Sequence, residues 1–248
     1  SIHEDKAIEE FCTEFFAKEQ FDEIQCHCCQ IITASPLIVA NNMKIPYDII
    51  MHDAWWMSPE QFLVSKSGSV IDPSDPLGHF DKEPNEEEII EALERREFLF
   101  GILKNARQRI AVSKTFAEIC EQAGIEDVSF KENKFTSMSN ALTSTKSFNE
   151  PYNVCHIGGM SLHKGFQLLR NAVNQLPQNI PLNFTIVDHR LTTPADEYSS
   201  IWNGYKVRFI APIAMNQMSN FYASQDVLVA PSIWPESFGL VTREAISA

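Results

Sequence analysis

Apolar positions along this chain change period repeatedly, from the three-to-four spacing of a helix to the short dense runs of a buried strand. Ile8, Phe11, Cys12, Phe15 and Phe16 lie on one stripe and predict a helix over 7–18. A short strand is expected at 24–28, a short helix at 36–42, and an isoleucine-rich strand at 47–51 that stops at His52-Asp53. An irregular stretch follows over 54–82, punctuated by Gly68, Pro73, Pro76 and Gly78. Residues 85–105 read as a long helix, with Glu86, Glu87 and Glu88 suited to its positive amino end. A strand at 109–112 leads into a helix capped by Ser113 and stopped at Gly124, and 128–132 is a further strand.

Residues 133–150 are rich in Ser, Thr, Asn and Lys and lack periodicity, so they read as a linker. Beyond them the alternation resumes. Strands are expected at 154–157, 182–187, 207–210 and 227–229, and helices at 167–175 and 216–224. A last helix opens near Phe238 or Gly239. Strands separated by helices imply right-handed crossovers and parallel sheets. The fold class expected is therefore α/β, with two Rossmann-like domains at 1–140 and 141–248, parallel sheets flanked by helices, and a cleft between them. Ligands of such sheets bind beyond the carboxyl ends of the strands.

Composition narrows the function. Lys plus Arg number 20 against 33 acidic residues, a formal charge of −13. A general nucleic-acid binder needs a basic face, so nucleic acid is not an expected partner. No apolar run is long enough to span a bilayer, although peripheral membrane contact stays compatible with the sequence. Ser1-Ile2-His3-Glu4-Asp5 lacks a basic segment followed by an apolar one, so no signal peptide is visible and a cytoplasmic location is expected. The cysteines are Cys12, Cys26, Cys28, Cys29, Cys120 and Cys155. Cys26-His27-Cys28-Cys29 has no distant second pair of ligands, so no zinc site is expected. Reduced, mostly core thiols suit a chain of this size.

The strongest chemical signal is Pro231-Ser232-Ile233-Trp234-Pro235-Glu236-Ser237-Phe238-Gly239-Leu240-Val241-Thr242-Arg243-Glu244-Ala245, which follows a strand and opens a helix. The amides of Phe238 and Gly239 face outward at a helix amino end, where free N–H groups and the dipole favour an anion. Glu236 and Glu244 flank that site, and carboxylates beside a phosphate repel it unless hydroxyls donate to them. A phosphate set between polyols, as in a nucleotide sugar, satisfies all of these groups. Glu236 would then take hydrogen bonds from the transferred sugar and Glu244 from the ribose. A second signal, Gly158-Gly159-Met160-Ser161-Leu162-His163-Lys164-Gly165, places a glycine pair and a lysine between a strand and a helix. Glycines permit close backbone approach, and Lys164 offers a point charge to phosphate oxygens.

Together these residues resemble the family 4 glycosyltransferases of the GT-B fold, the glycosyl transferases group 1. ESFGLVTRE is similar to that family's E-x7-E element and Lys164-Gly165 to its phosphate-contacting KG. Met51-His52-Asp53-Ala54-Trp55-Trp56 is similar to its HD-W segment, and Ala111-Val112-Ser113 with Glu132-Asn133 to the run before its linker. The resemblance implies retaining transfer of a sugar from a nucleoside-diphosphate donor to a hydroxyl of a glycan or other acceptor. It implies no metal and no cofactor. Glu236, Lys164 and His52 would be the catalytic residues, with His52 against the donor sugar. Glu244, Ser237, Phe238, Gly239, Gly158, Gly159 and Ile213 would bind the nucleotide sugar, Ile213 from the loop that holds the base in relatives. Two departures stand out. Gly159 occupies a position where relatives carry an arginine, leaving one phosphate cation fewer. Both domains also read as incomplete, as if the chain were cut short at each end.

Two other readings remain open. One is a non-catalytic or truncated nucleotide-sugar binder. The other is a different enzyme on the same scaffold, a nucleotide-sugar epimerase or a phosphorylase, whose acid–base set or cofactor lysine the sequence does not display. Trp55 and Trp56 read as packing residues, the acidic helix over 86–99 as a solvated face, and His163 and His189 carry no case. For His27 the two readings balance.

Overall fold

The computed structural model of the chain describes residues 4–135 and 150–248. The chain divides into two compact units, Ser1–Asn133 with Pro235–Phe238, and Lys134–Trp234 with Gly239–Ala248. Most of the expected linker lies outside the described residues.

In the first unit the order is α1 (Lys6–Glu19), β1 (Ile24–Cys26), α2 (Ser35–Asn42), β2 (Tyr47–Met51), a short 3-10 turn at Ala54–Trp56, α3 (Glu86–Asn105), β3 (Gln108–Ala111), α4 (Lys114–Gln122) and β4 (Val128–Phe130). Helix starts follow local chemistry. Asp5 accepts from the amides of Ala7 and Ile8, Asn85 and Glu88 form a reciprocal capping box, and Ser113 accepts from the amide of Phe116. The four strands pair in sequence order, all parallel. Tyr47, Ile49 and Met51 of β2 are buried together with Leu37, Leu99, Leu103 and Phe116 of the helices, and the Tyr47 hydroxyl donates to the Ile102 carbonyl at 2.8 Å. The stripe expected on α1 is only half used. Cys12 and Phe16 are buried, while Phe11 remains 64% exposed.

β1 ends at Cys26, two residues earlier than expected. Cys28 and Cys29 therefore lie in the turn beyond the strand. The turn itself separates them, leaving Cys28 exposed and Cys29 buried. The stretch 54–82 has little regular structure but is not loose. Leu63 and Ile71 are buried, with the Ile71 amide donating to the Leu63 carbonyl, and Asp72 and Asp75 each accept from an amide two residues on.

The second unit runs β5 (Tyr152–Ile157), α5 (Phe166–Gln175), β6 (Leu182–Val187), β7 (Tyr198–Trp202), β8 (Tyr205–Ile210), α6 (Met218–Ala223), β9 (Val227–Leu228) and α7 (Leu240–Ser247). Its sheet has the order β7-β8-β6-β5-β9. Val154, Phe184, Ile186, Val207 and Phe209 from the strands pack with Leu169 and Val173 of α5 and with Trp202 and Tyr205. The sheet is parallel except at β7, which pairs antiparallel with β8. That strand was not anticipated. Trp202 pairs with Tyr205 across Asn203-Gly204, both with positive φ (45° and 86°), which is the tight hairpin turn that an Asn-Gly pair favours. Among the described residues no helix is long and apolar enough to cross a membrane.

Candidate nucleotide-sugar site

Strand order in the second sheet creates a special place. From β5 the chain moves outward through β6 to β8, then returns to lay β9 on the other side of β5. The loops leaving the carboxyl ends of β5 and β9 therefore flank the point where strand order reverses, the place where ligands of open α/β sheets bind. The two loops are the ones singled out from sequence. Gly158 to Gly165 follows β5, and Pro231 to Gly239 follows β9.

Gly165 joins them. It caps α5 with φ +70°, and a Cβ there would stand 1.9 Å from the Pro231 carbonyl oxygen. Only glycine lets the two backbones come this close. The amide of Ile233 also donates to the His163 carbonyl at 3.0 Å. Lys164, immediately before the cap, lays its Cβ and Cγ 3.4 Å from the Cβ position of Gly158. The glycine pair thus makes room for the lysine stem. Gly159 has φ +70°, and a Cβ would meet the His189 ring at 2.7 Å. A side chain at 159 would therefore sit on strained backbone and displace that ring.

His156 anchors the glycine loop from beneath. It is buried, with Nδ1 3.0 Å from the Val229 carbonyl oxygen and Nε2 3.0 Å from that of Gly159. A neutral imidazole can donate to one of these oxygens and an imidazolium to both. Arg190 stands beside the same loop, its guanidinium 3.8 Å from the Met160 sulfur and forked onto buried Asp188 at 3.1 and 3.0 Å. The Arg190 hydrogen bonds hold the Asp188 carboxyl below the usual carboxylate range.

Both helices that follow these loops start without a side-chain cap. Gly165 precedes α5 and Gly239 precedes α7, each in the left-handed region, with no side chain accepting from the first amides. The capped helices α1, α3 and α4 belong to the first unit. Nothing lies within 4 Å of a Cβ built on Gly239. Glu236 has φ 45°, a conformation that costs a residue with a Cβ about 1–3 kcal/mol and collects at ligand sites. Ser237 and Phe238 are half-buried.

Glu244 lies on the second turn of α7 and is buried, accepting from the Tyr222 hydroxyl at 3.1 Å. Burial first, and then the Glu244 charge, push the Tyr222 hydroxyl well above the ordinary tyrosine range, so it stays a donor. Tyr222 and Met218 form a small core against which Ile213 and Ala245 pack. The second unit therefore brings Gly158, Gly159, Lys164 and Gly165 together, and gathers Ile213 and the helix of Glu244 around Tyr222.

His52 belongs to the first unit. It sits just past β2, with its Nε2 3.0 Å from Nδ1 of His27 and the two rings 5.3 Å apart. Burial, followed by the neighbouring His27, lowers its pKa. Asp53 caps the turn at Trp55 and accepts from Gln30 at 2.7 Å. Buried Arg95, its pKa lowered to about 10 by burial, donates to the Trp55 carbonyl, and Trp56 is buried. Among the described residues no group of three or more His, Cys, Asp or Glu is placed to hold a metal ion.

The His27–His52 pair makes a test. Replacing His27 with alanine is expected to raise the His52 pKa toward its ordinary value of about 6.5 by removing a repelling, desolvating neighbour. Histidine proton shifts followed against pH report it, and an unchanged or lower value counts against the pairing. Because the fold favours neutral His52, its stabilising contribution is complete above about 6.5 and is lost as pH falls below that value toward the lower folded one.

Residues missed from sequence are His156, Arg190 and Tyr222. His156 and Tyr222 are held by partners distant in sequence, and Arg190 is forked onto Asp188 two residues back, so no local motif singled them out.

Comparison with known proteins bears on both units. No curated protein matches the chain. Among solved structures, HepE of Anabaena, determined with UDP, has a TM-score of 0.62 at 19% identity, covering 96% of this chain and 60% of that one. A glycosyltransferase from Rickettsia africae has a TM-score of 0.60 at 14% identity, covering 97% and 59%. The UDP-forming α,α-trehalose-phosphate synthase of Burkholderia vietnamiensis has 0.60 at 9%, covering 98% and 60%. The chain thus spans about 60% of the length of these proteins. At such identities the likeness shows the fold, which is the expected α/β class of the GT-B glycosyltransferases. The family model described as "Glycosyl transferases group 1" matches residues 139–248, so this part of the chain is similar to that family.

Proposed function

We propose that the protein takes a nucleoside-diphosphate sugar at the carboxyl ends of β5 and β9 and transfers the sugar, with retention, to an acceptor hydroxyl. The observation that carries this reading is the strand-order reversal between β5 and β9, because both loops bearing the phosphate chemistry leave that one place. UDP in the solved HepE structure supports a diphosphate donor.

The roles follow from chemistry. Departure of the diphosphate builds negative charge on its oxygens. Lys164 and the uncapped amides at Gly239 stabilise that charge without reorganising. Arg190, beside the glycine loop, makes good the cation absent at Gly159. The sugar's anomeric carbon breaks its bond to phosphate oxygen and forms one to the acceptor oxygen on the same face. The acceptor proton passes to the leaving diphosphate, so no enzymic nucleophile is required. Glu236 accepts from the sugar hydroxyls, His52 contacts the sugar, and Glu244, held by Tyr222, accepts from the ribose. Ile213 lines the base. Protein groups neutralise the phosphate, so the reaction runs without a metal or cofactor. The acceptor is a glycan or other hydroxyl compound. A cytoplasmic setting is part of the same proposal, and free thiols fit a reducing compartment.

Calorimetric titration with UDP, GDP and ADP tests the site. Glu244→Ala is expected to weaken a nucleoside diphosphate by about 1.5–3 kcal/mol, the range for hydrogen bonds to a charged group, while leaving inorganic phosphate unaffected. Tyr222→Phe frees one carboxylate oxygen and is expected to have a smaller effect of the same kind. If Glu244→Ala binds nucleoside diphosphates as the parent does, the ribose role is wrong. Labelled-donor product analysis then separates a transferase from a mere binder.

A further inference from the structure

The turn after β1 holds chemistry that sugar transfer does not use. Cys26 ends the strand, Cys29 is buried three residues later, and their sulfurs lie 3.1 Å apart. Two thiols this close need little movement to bond. The spacing is that of a Cys-x-x-Cys pair, a motif that favours the thiolate of its first cysteine. The two sulfurs are also unequal. The hydrogen bond from Cys29 draws the Cys26 thiol below its ordinary range, whereas Cys29, hydrogen-bonded to Cys26 and buried, is pushed up. Cys26 is half-exposed and can meet a reagent, while Cys29 waits behind it. A four-residue ring constrains little of the unfolded chain, so a bond here would not be a structural staple.

The same turn reaches the neighbouring strand end at two points. His27, between the cysteines, holds His52 at 3.0 Å. Cys28 hydrogen-bonds Gln30, whose amide donates to Asp53 at 2.7 Å. Any rearrangement of 26–29 must therefore move the groups set against His52-Asp53.

We propose that Cys26 and Cys29 are a redox-active dithiol that closes to a disulfide by exchange with a small-molecule disulfide, and that closure shifts the His27–His52 contact. In the first step the Cys26 thiolate attacks one sulfur of the reagent. The Cys26–reagent bond forms, the reagent's own S–S bond breaks, and the departing thiolate takes up a proton. Cys29 then loses its proton and attacks the Cys26 sulfur, forming the Cys26–Cys29 bond and releasing the second small thiol. Two protein thiols are oxidised by two electrons, and one small disulfide is reduced to two thiols. This does not depend on the sugar-transfer reading.

The test uses the whole chain and glutathione disulfide, followed by unfolding, maleimide labelling and intact-mass measurement. The expected result is two fewer labels than the reduced chain and no retained glutathione, for the parent and for Cys28→Ser alike. Cys29→Ser should trap glutathione on Cys26, and Cys26→Ser should do neither. Cys28 is exposed, so its variant is safe for folding, and peptide mapping of oxidised Cys28→Ser identifies the bond even if a buried-site variant fails to fold. If Cys28→Ser keeps all its labels, Cys28 is the true partner and the proposal is overturned. In that same variant, oxidation should move the imidazole signals of His27 and His52 and leave that of His79 in place. Unmoved His27 and His52 signals overturn the coupling.

Discussion

Gly165→Ala is expected to destabilise the second unit by about 3 kcal/mol or more, enough to leave much of it unfolded at moderate denaturant. Two costs add. A Cβ at φ +70° is strained by roughly 1–3 kcal/mol. It would also stand 1.9 Å from the Pro231 carbonyl oxygen, a backbone atom that cannot swing aside as a side chain can. Prying the two loops apart resembles overpacking, itself worth roughly 1–3 kcal/mol. Gly239→Ala is the control. Its φ is +69°, but nothing lies within 4 Å of the added carbon, so only the backbone strain applies. Denaturant unfolding of the two variants should rank Gly165→Ala as the worse by 1 kcal/mol or more, an estimate from the overpacking range. Equal losses would mean that the loops after β5 and β9 are not locked together.

Lys164→Ala is expected to lower the transfer rate by roughly 10²–10³, the cost of removing one preorganised donor to developing charge. Diphosphate binding should weaken by less, since charge on the leaving oxygens grows toward the transition state. Lys164→Arg should recover part of the rate, because it restores charge but not the compact ammonium. Single-turnover measurement with a labelled UDP-sugar, beside calorimetry with UDP, separates the two effects. Loss of binding with an unchanged single-turnover rate at saturating donor would make Lys164 a ground-state anchor and no more.

Much of the architecture was legible in advance because strand and helix periods differ. β2 and β6 were bounded correctly from their apolar runs, and Ser113 was identified as the cap of α4. β7 was missed although Asn203-Gly204 announced its hairpin, because a parallel reading of the sheet left no room for an antiparallel edge. The strand expected over 24–28 ends at Cys26, and the Cys26 and Cys29 sulfurs meet across the turn that follows, a contact that no spacing along the chain specifies.

The linear order of residues by itself determined the alternation of elements, the two uncapped glycine starts, and the spacing of Glu236 from Glu244. These are local properties, set by backbone freedom and by neighbours along the chain. Only the tertiary structure decided that β9 returns beside β5, that Gly165 abuts Pro231, and that Tyr222 holds Glu244. Such pairings join residues 22 to 73 positions apart. They come from buried area and backbone fit summed over the whole unit, which no window of neighbouring residues records.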